Sequence, residues 1–205
     1  METAPAEIVT ARALLRRLRE EDFPAFARMN ADAEVMQYFP KLWSTAESRR
    51  AFDRINADFD ERGFGIYALQ VDATFAGIVG LSIPSFQSWF TPCVEILWRL
   101  RTEFWGRGLA SEAAAMVLTM AEERLSFEEV FSFGVAQNSR SMRVMEKIGM
   151  VPCDPPVFDH PEVNDSNLKQ HLLYRVRLRR LPDRMSHRSK AVADHASLRA
   201  ASRIP

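Results

Sequence analysis

Apolar residues recur along this chain with two periods, and the period of each segment predicts whether it is a strand or a helix. Alternation at every second residue, or a short continuous apolar run, indicates a strand. The segments with this pattern are residues 8–19, 64–71, 74–83, 93–100, 130–135 and 171–178. Asp72 and Ala73 separate the second and third of these segments, and their position predicts a tight hairpin.

Helical spacing marks four other segments. Residues 20–32 begin with acidic side chains and then carry apolar residues available for one face. Ser44 and Glu47 have the spacing of a capping box, and the helix they open is predicted to stop at Gly63. Residues 109 to about 124 and residues 138–148 complete the set, the last ending before Gly149.

The order of these elements predicts the fold class. One strand and two helices come first, an antiparallel run of strands follows, and a β-α-β-α-β segment ends the series. This order predicts a single α/β domain over residues 1–180, with a mixed sheet flanked by helices. We expect antiparallel strands in its N-terminal part and one parallel pair after them. Residues 181–205 lack apolar periodicity, and we expect a basic, disordered tail.

Composition narrows the class of protein. A chain of 205 residues with 47% apolar and 26% charged residues has the makeup of one globular domain. The net charge is zero, the body is mildly acidic, and no concentrated basic face is visible, so a nucleic-acid partner is not expected.

Cysteines, histidines and apolar runs restrict the compartment and the cofactors. Cys93 and Cys153 match no metal or redox spacing, and we interpret them as free thiols. The histidines form no HxH or HxxxH pair, so no metal site is expected. No apolar run reaches the length of a membrane span, and the first residues lack the order of a secretion signal. We therefore predict a cytoplasmic protein without a membrane partner.

The glycine turn between a strand and a helix is the most informative segment. Gly106 and Gly108 can adopt conformations that turn successive backbone N–H groups toward one point, and they carry no side chain to block an anion. The start of the next helix adds unpaired N–H groups, and Arg107 adds a positive charge. The turn is therefore a candidate cradle for a phosphate or pyrophosphate. The alternative is a tight turn with no ligand.

The motifs of two other classes of phosphate-binding protein do not match this turn well. A Walker A loop requires GxxxxGK[ST], which the chain lacks. A dinucleotide fingerprint would have Ser111 as its third glycine and would need an acidic residue at the end of the next strand. Glu128 and Glu129 precede that strand, so an NAD(P) oxidoreductase is a weak alternative.

Several segments together resemble a known family. The strand CVEILWRL, the loop WGRGLASEA, the strand VFSFGVAQ and the helix NSRSMRVMEKIGM are similar to the core of the GNAT superfamily of N-acetyltransferases. The opening segment resembles the branch that contains the ribosomal-protein N-terminal acetyltransferases, and the likeness extends over about residues 9–180. Trp105 stands where the superfamily usually has Gln or Arg, a change common in this branch.

The resemblance implies acetyl-CoA as co-substrate and a place for each of its parts. The pantetheine arm would lie between two splayed parallel strands, 93–100 and 130–135. Backbone groups of Trp98, Arg99 and Leu100 would pair with its amides, and Asn138 would contact the arm or serve only as a helix N-cap. The pyrophosphate would be held by Gly106, Arg107, Gly108, Leu109, Ala110 and Ser111.

The resemblance also suggests candidates for the chemistry. Glu95 interrupts an apolar run on the strand facing the thioester and is the candidate general base, the alternative being an ordinary solvated or ion-paired glutamate. Many superfamily members have a tyrosine seven residues after the asparagine, where this chain has Met145. Ser141 is the matching polar residue in this branch and the candidate partner of the leaving thiolate, or else an exposed helical serine.

The acceptor side is defined less sharply. Phe39 lies in a segment that resembles the aromatic loop closing over the acceptor, although core packing explains it equally well. His160 and His171 border the expected acceptor cleft, and the alternative is that they only bond to nearby backbone. We expect a monomeric or homodimeric enzyme acetylating a primary amine of a small molecule, amino acid or protein N-terminus. A non-catalytic acyl-CoA sensor is the main alternative.

Overall fold

A computed structural model describes residues 3–179, so residues 1, 2 and 180–205, including the expected basic tail at 181–205, lie outside the described part. In this described part, eight strands form one sheet in the order β1-β2-β3-β4-β5-β6-β8-β7. The strands are β1 (Glu7–Val9), β2 (Leu14–Arg16), β3 (Ile66–Val71), β4 (Thr74–Ser82), β5 (Glu95–Leu100), β6 (Glu129–Val135), β7 (Val151–Asp159) and β8 (Gln170–Arg177). The α-helices are α1 (Phe23–Asn30), α2 (Thr45–Arg62), α3 (Leu109–Arg124), α4 (Ser139–Lys147) and α5 (Ser166–Lys169), and short 3-10 helices span Glu20–Asp22 and Thr102–Phe104.

The single parallel pair of the described sheet opens into a cleft. Strands β5 and β6 are paired at Glu95 and Phe131, where the Phe131 N–H donates to the Val94 carbonyl at 2.8 Å. The ladder does not continue past this point, whereas β4 and β6 keep their antiparallel partners along most of their length. The mixed sheet with one parallel pair, flanked by helices, confirms the predicted fold class.

Helices cover both faces of the sheet, and alternation along β5 assigns its side chains to these faces. Ile96 and Leu100 belong to the core beneath α3 and α4. Leu97 packs with the second core, formed with α1 and α2. Glu95 and Arg99 have the same parity as Leu97, so they point to the α1–α2 side of the sheet.

Several predicted boundaries are confirmed by their local chemistry. The Ser44 side chain accepts from the Glu47 N–H and Glu47 reaches back to Ser44, so the capping box opens α2. Gly63 ends that helix with a left-handed φ of 73°. Asp72 and Ala73 both have positive φ and form the hairpin turn between β3 and β4.

Two predictions about strands were wrong. Residues 8–19 were predicted as one strand, but the chain turns at Thr10, whose N–H donates to the Ala13 carbonyl, and β1 pairs back on β2. Strand β7 was missed, because no strand was predicted between residues 148 and 171. It lies at the edge of the sheet, where proline is tolerated, and its prolines Pro152, Pro155 and Pro156 interrupt any apolar alternation.

Candidate active site

The cleft between β5 and β6 is a cavity of about 710 Å³. Fourteen of the predicted site residues line it: Phe39, Glu95, Trp98, Arg99, Leu100, Gly106, Gly108, Leu109, Ala110, Ser111, Asn138, Ser141, His160 and His171. Arg107 is the exception. Its guanidinium lies 5.6 Å from the ring of Phe104, and its carbonyl accepts a hydrogen bond from Arg12 Nη1 at 2.8 Å.

The glycine turn forms one end of the cavity. Gly106 and Gly108 have φ values of 71° and 77°, in the left-handed region that glycine adopts without strain. Gly108 is the N-cap of α3 and provides no side chain to bond the first N–H groups of the helix, so these donors are free for an anion. Arg12 holds the turn in place from outside the cavity. It donates a hydrogen bond to the Arg107 carbonyl and forms an ion pair with Glu112, in the first turn of α3, at 2.6 Å.

Three basic side chains that the sequence analysis did not single out also line the cavity. Arg140, Arg143 and Lys147 of α4 all face the cavity. The guanidinium of Arg140 lies 4.5 Å from the ring of Trp105, beside the glycine turn. Their i, i+3, i+7 spacing puts them on one face of a helix, which is a signal that the sequence contained. This end of the cavity therefore combines free backbone donors with positive charge.

Glu95 stands where the two strands separate. Its side chain is partly exposed and makes no hydrogen bond or ion pair with any residue in the range 3–179. Removal of water from around the carboxylate raises its pKa from 4.5 to about 8. Glu95 is therefore not the ion-paired glutamate of the alternative interpretation.

Ser141 is held by two contacts in the first turn of α4. Its N–H donates to Asn138 Oδ1 at 3.2 Å, so Asn138 is the N-cap of that helix. Its hydroxyl oxygen accepts from Trp98 Nε1 at 3.2 Å, across the cleft from β5. Trp98 thereby occupies one lone pair of the Ser141 oxygen and leaves the hydroxyl proton available to another acceptor. Met145, at the place of the tyrosine in many superfamily members, is buried.

His160 and His171 form a pair on the other wall, with ring centroids 5.0 Å apart. An aromatic cluster that includes Phe133 and Phe158 surrounds them. Burial, and then the neighbouring His171, lowers the pKa of His160 to about 4, and burial lowers the pKa of His171. His171 Nδ1 bonds the Lys169 carbonyl and His160 Nδ1 accepts from the Glu162 N–H, so both rings are anchored to nearby backbone and also face the cavity.

The segment between α1 and α2 closes the cavity on the α1–α2 side of the sheet. Phe39 and Trp43 line it, and the Tyr38 hydroxyl donates to the Gln137 carbonyl at 3.3 Å, across the cleft. Phe39 is 36% exposed, and its ring lies 4.1 Å from the guanidinium of Arg99. Phe39 is thus part of the cavity wall, which core packing alone would not require.

Comparison with known proteins agrees with this geometry. Residues 12–151 match the model of the acetyltransferase (GNAT) domain family. The chain is 29% identical over 144 residues to the uncharacterized N-acetyltransferase YnaD of Bacillus subtilis, covering 70% of this chain and 81% of YnaD.

Two solved structures share the fold. RimJ of Mycobacterium smegmatis, in complex with CoA-disulfide, has a TM-score of 0.71 at 17% identity, covering 94% of this chain and 98% of RimJ. RimL, a ribosomal L7/L12 alpha-N-protein acetyltransferase in complex with coenzyme A, has a TM-score of 0.69 at 15% identity, covering 88% of this chain and all of RimL.

The chain therefore belongs to the GNAT acetyltransferase family, and it is an acetyl-CoA-dependent acetyltransferase. The structural neighbours include members of the branch that its sequence resembles. Within residues 3–179, no helix has the length and apolar character needed to cross a membrane. The same residues contain no cluster of three His, Cys, Asp or Glu side chains suited to a metal ion.

Proposed function

We propose that this protein transfers the acetyl group of acetyl-CoA directly to a primary amine, with both substrates bound at once. The observation that carries the proposal is the arrangement around β5. Glu95 and the Trp98–Ser141 pair line one cavity, and they approach the gap between β5 and β6 from opposite faces of the sheet. A thioester in that gap would have a base on one side and a proton donor on the other.

The cavity suits the parts of acetyl-CoA in order. The pyrophosphate would bind the free N–H groups of the turn from Gly106 to Ser111, with Arg140, Arg143 and Lys147 supplying charge. The pantetheine arm would run along β5, because the backbone of Trp98, Arg99 and Leu100 has lost its β6 partner. Asn138 Oδ1 is used by the helix cap, which leaves its amide N–H groups for the arm.

The chemistry then follows from the positions of three groups. The neutral amine attacks the thioester carbonyl carbon, and a backbone N–H near Trp98 stabilises the oxyanion. Glu95 takes the proton that the amine loses as the new C–N bond forms, directly or through a water molecule. The C–S bond breaks, its electron pair leaves with the CoA sulfur, and the Ser141 hydroxyl donates a hydrogen bond that stabilises the thiolate.

The state of the amine sets how much help Glu95 must give. An α-amine with a pKa near 8 is roughly one-tenth neutral at pH 7, whereas a lysine amine is neutral about one time in a thousand. A base with a pKa of about 8 is well matched to the first case. His160 and His171, both uncharged near neutral pH, would orient the acceptor or act as a second base.

A non-catalytic acyl-CoA sensor is the second candidate, because Met145 stands at the place of the tyrosine in many relatives. The test is to mix purified protein with acetyl-CoA and a panel of amines and to follow the free thiol. Thiol released only when an amine is present supports transfer. CoA binding without thiol release from any amine supports the sensor, and absence of CoA binding defeats both. The compartment, the monomer or homodimer state and the extent of the domain at residues 1–180 stay predictions.

A further inference from the structure

A cation stands in the acceptor half of the cavity without a carboxylate partner. Arg99 lines the cavity, and no Asp or Glu among residues 3–179 lies within ion-pair distance of its guanidinium. Its Nη1 donates to Asn30 Oδ1 at 2.6 Å, whereas Nε is buried and lacks a hydrogen-bond partner in the described part of the chain. A desolvated charge is costly unless it is paired, and loss of water lowers the pKa of Arg99 to about 10.

The side of the sheet separates this cation from the CoA phosphates. Arg99 points to the α1–α2 face, where its guanidinium lies 4.1 Å from the Phe39 ring and 4.8 Å from the Trp43 ring. The cradle for the pyrophosphate lies at the N-terminus of α3, and α3 covers the opposite face. Arg99 is therefore not accounted for by the phosphates of the co-substrate.

The spacing between Arg99 and the candidate base Glu95 also limits which ligands Arg99 can bind. Arg99 and Glu95 share a face of β5 four residues apart, so their Cα atoms are separated by about 13 Å at the rise of a strand. Among residues 3–179, Glu95 forms no ion pair with Arg99, and Glu95 itself is largely protonated at neutral pH. The interval is open to an acceptor that presents its amine near Glu95 and another group near Arg99.

We propose that the acceptor amine carries an oxyanion group, a carboxylate or a phosphate, and that Arg99 binds this group. The inference rests on the proposed transferase function and specifies its acceptor class. Asn30, Phe39 and Trp43 hold the guanidinium in place, so few rotamers are lost when the anion binds. Because Nε is buried, the anion would bind the N–H groups of Nη1 and Nη2 that Asn30 leaves free, at the end of the planar guanidinium.

The test compares acceptors that differ in a single charge. Pairs are peptides with glutamate or glutamine at the second residue, and aminoalkyl phosphates with the corresponding amino alcohols. We expect the parent protein to use one of the anionic members with a KM at least tenfold lower than its neutral counterpart. The peptide pair and the phosphate pair distinguish which oxyanion is preferred.

Variants then assign the preference to the side chain. Arg99→Gln should remove the difference between the two acceptors, because it should raise the KM of the anionic acceptor at least tenfold more than the KM of the neutral one. Arg99→Lys keeps the charge and should restore part of the preference. Arg101→Gln is the matched control, because Arg101 is paired with Glu103 and does not line the cavity. Calorimetry with CoA and a thermal melt show whether each variant is folded.

The outcomes separate this inference from the function beneath it. Equal KM values for charged and neutral acceptors in the parent, or equal losses for both in Arg99→Gln, would show that Arg99 only holds the Phe39–Trp43 segment. Either result overturns the inference and leaves the transferase function intact. Absence of thiol release from every amine would instead defeat the function and the inference together.

Discussion

The substitution Glu95→Gln tests the cost of a desolvated carboxyl group and its use in chemistry at the same time. Glu95 makes no hydrogen bond or ion pair within residues 3–179, and desolvation raises its pKa to about 8. Glutamine has nearly the same shape and no charge. The substitution therefore removes the titration and changes the packing little.

The pKa gives the sign and the size of the effect on stability. The unfolded chain releases this proton near pH 4.5, whereas the folded protein keeps it up to about pH 8. Stability of the parent therefore falls as pH rises between these values. One pKa unit corresponds to about 1.4 kcal/mol, so the full interval corresponds to at most about 5 kcal/mol and the part reached at pH 7 to about 3 kcal/mol. Because the side chain is partly exposed, we expect a gain of about 1 to 3 kcal/mol for Glu95→Gln at neutral pH.

The assay has a stability arm and a kinetic arm. Urea unfolding of the apo protein at about pH 5 and pH 7.5 should show a stabilising difference that grows with pH. The exposed Glu123→Gln is the matched control and should show no such trend. Thiol release should be followed with an acceptor amine that is already neutral at about pH 6. The parent rate should then rise with pH and level off above pH 8, while the Glu95→Gln rate should be lower and flat.

Two results would refute this reasoning. A Glu95→Gln protein no more stable at pH 7.5 than at pH 5, relative to the parent, would mean that the carboxyl group is solvated. A pH–rate curve that keeps the parental rise would remove Glu95 from proton transfer. A stability gain combined with a rate loss is the expected signature of a group retained for function.

Three further predictions concern the rest of the cavity. Gly108→Val should lower the affinity for CoA at least tenfold, as measured by calorimetry. Gly149→Val introduces the same left-handed strain of about 1–2 kcal/mol outside the cavity and should keep the parental affinity; equal CoA affinities for the two variants would contradict the proposed phosphate site. Ser141→Ala should lower kcat about tenfold to a hundredfold with CoA affinity kept, and an unchanged kcat would exclude a role at the thiolate. The folded protein binds a proton at His160 only near pH 4, whereas the unfolded chain binds it near pH 6.5, so the parent loses stability as the pH falls between these values. His160→Gln should lessen this loss in the free energy of unfolding, and denaturation curves with the parental acid sensitivity would contradict the prediction.

Local patterns in the sequence were sufficient for most elements of the fold. The capping box at Ser44, the αL glycine at Gly63 and the Asp72–Ala73 turn each depend on neighbours within a few residues, so they could be predicted without tertiary contacts. Strand β7 could not, because its prolines hide a pairing that is supplied by β8. The break at Thr10 was missed for a similar reason, since β1 folds back on β2.

The features of the candidate site also fall into two groups, those that the sequence predicts and those that only the tertiary structure shows. The glycine turn was visible in the sequence because the conformation of Gly106 and Gly108 is a local property of the backbone. The desolvation of Glu95 and the surroundings of Arg99 depend on segments distant in sequence. Around Arg99 these include the Phe39–Trp43 loop, whose two aromatic rings lie against the guanidinium. A sequence states which residues can ionise, but the water removed and the charges brought near are decided only when distant segments pack together.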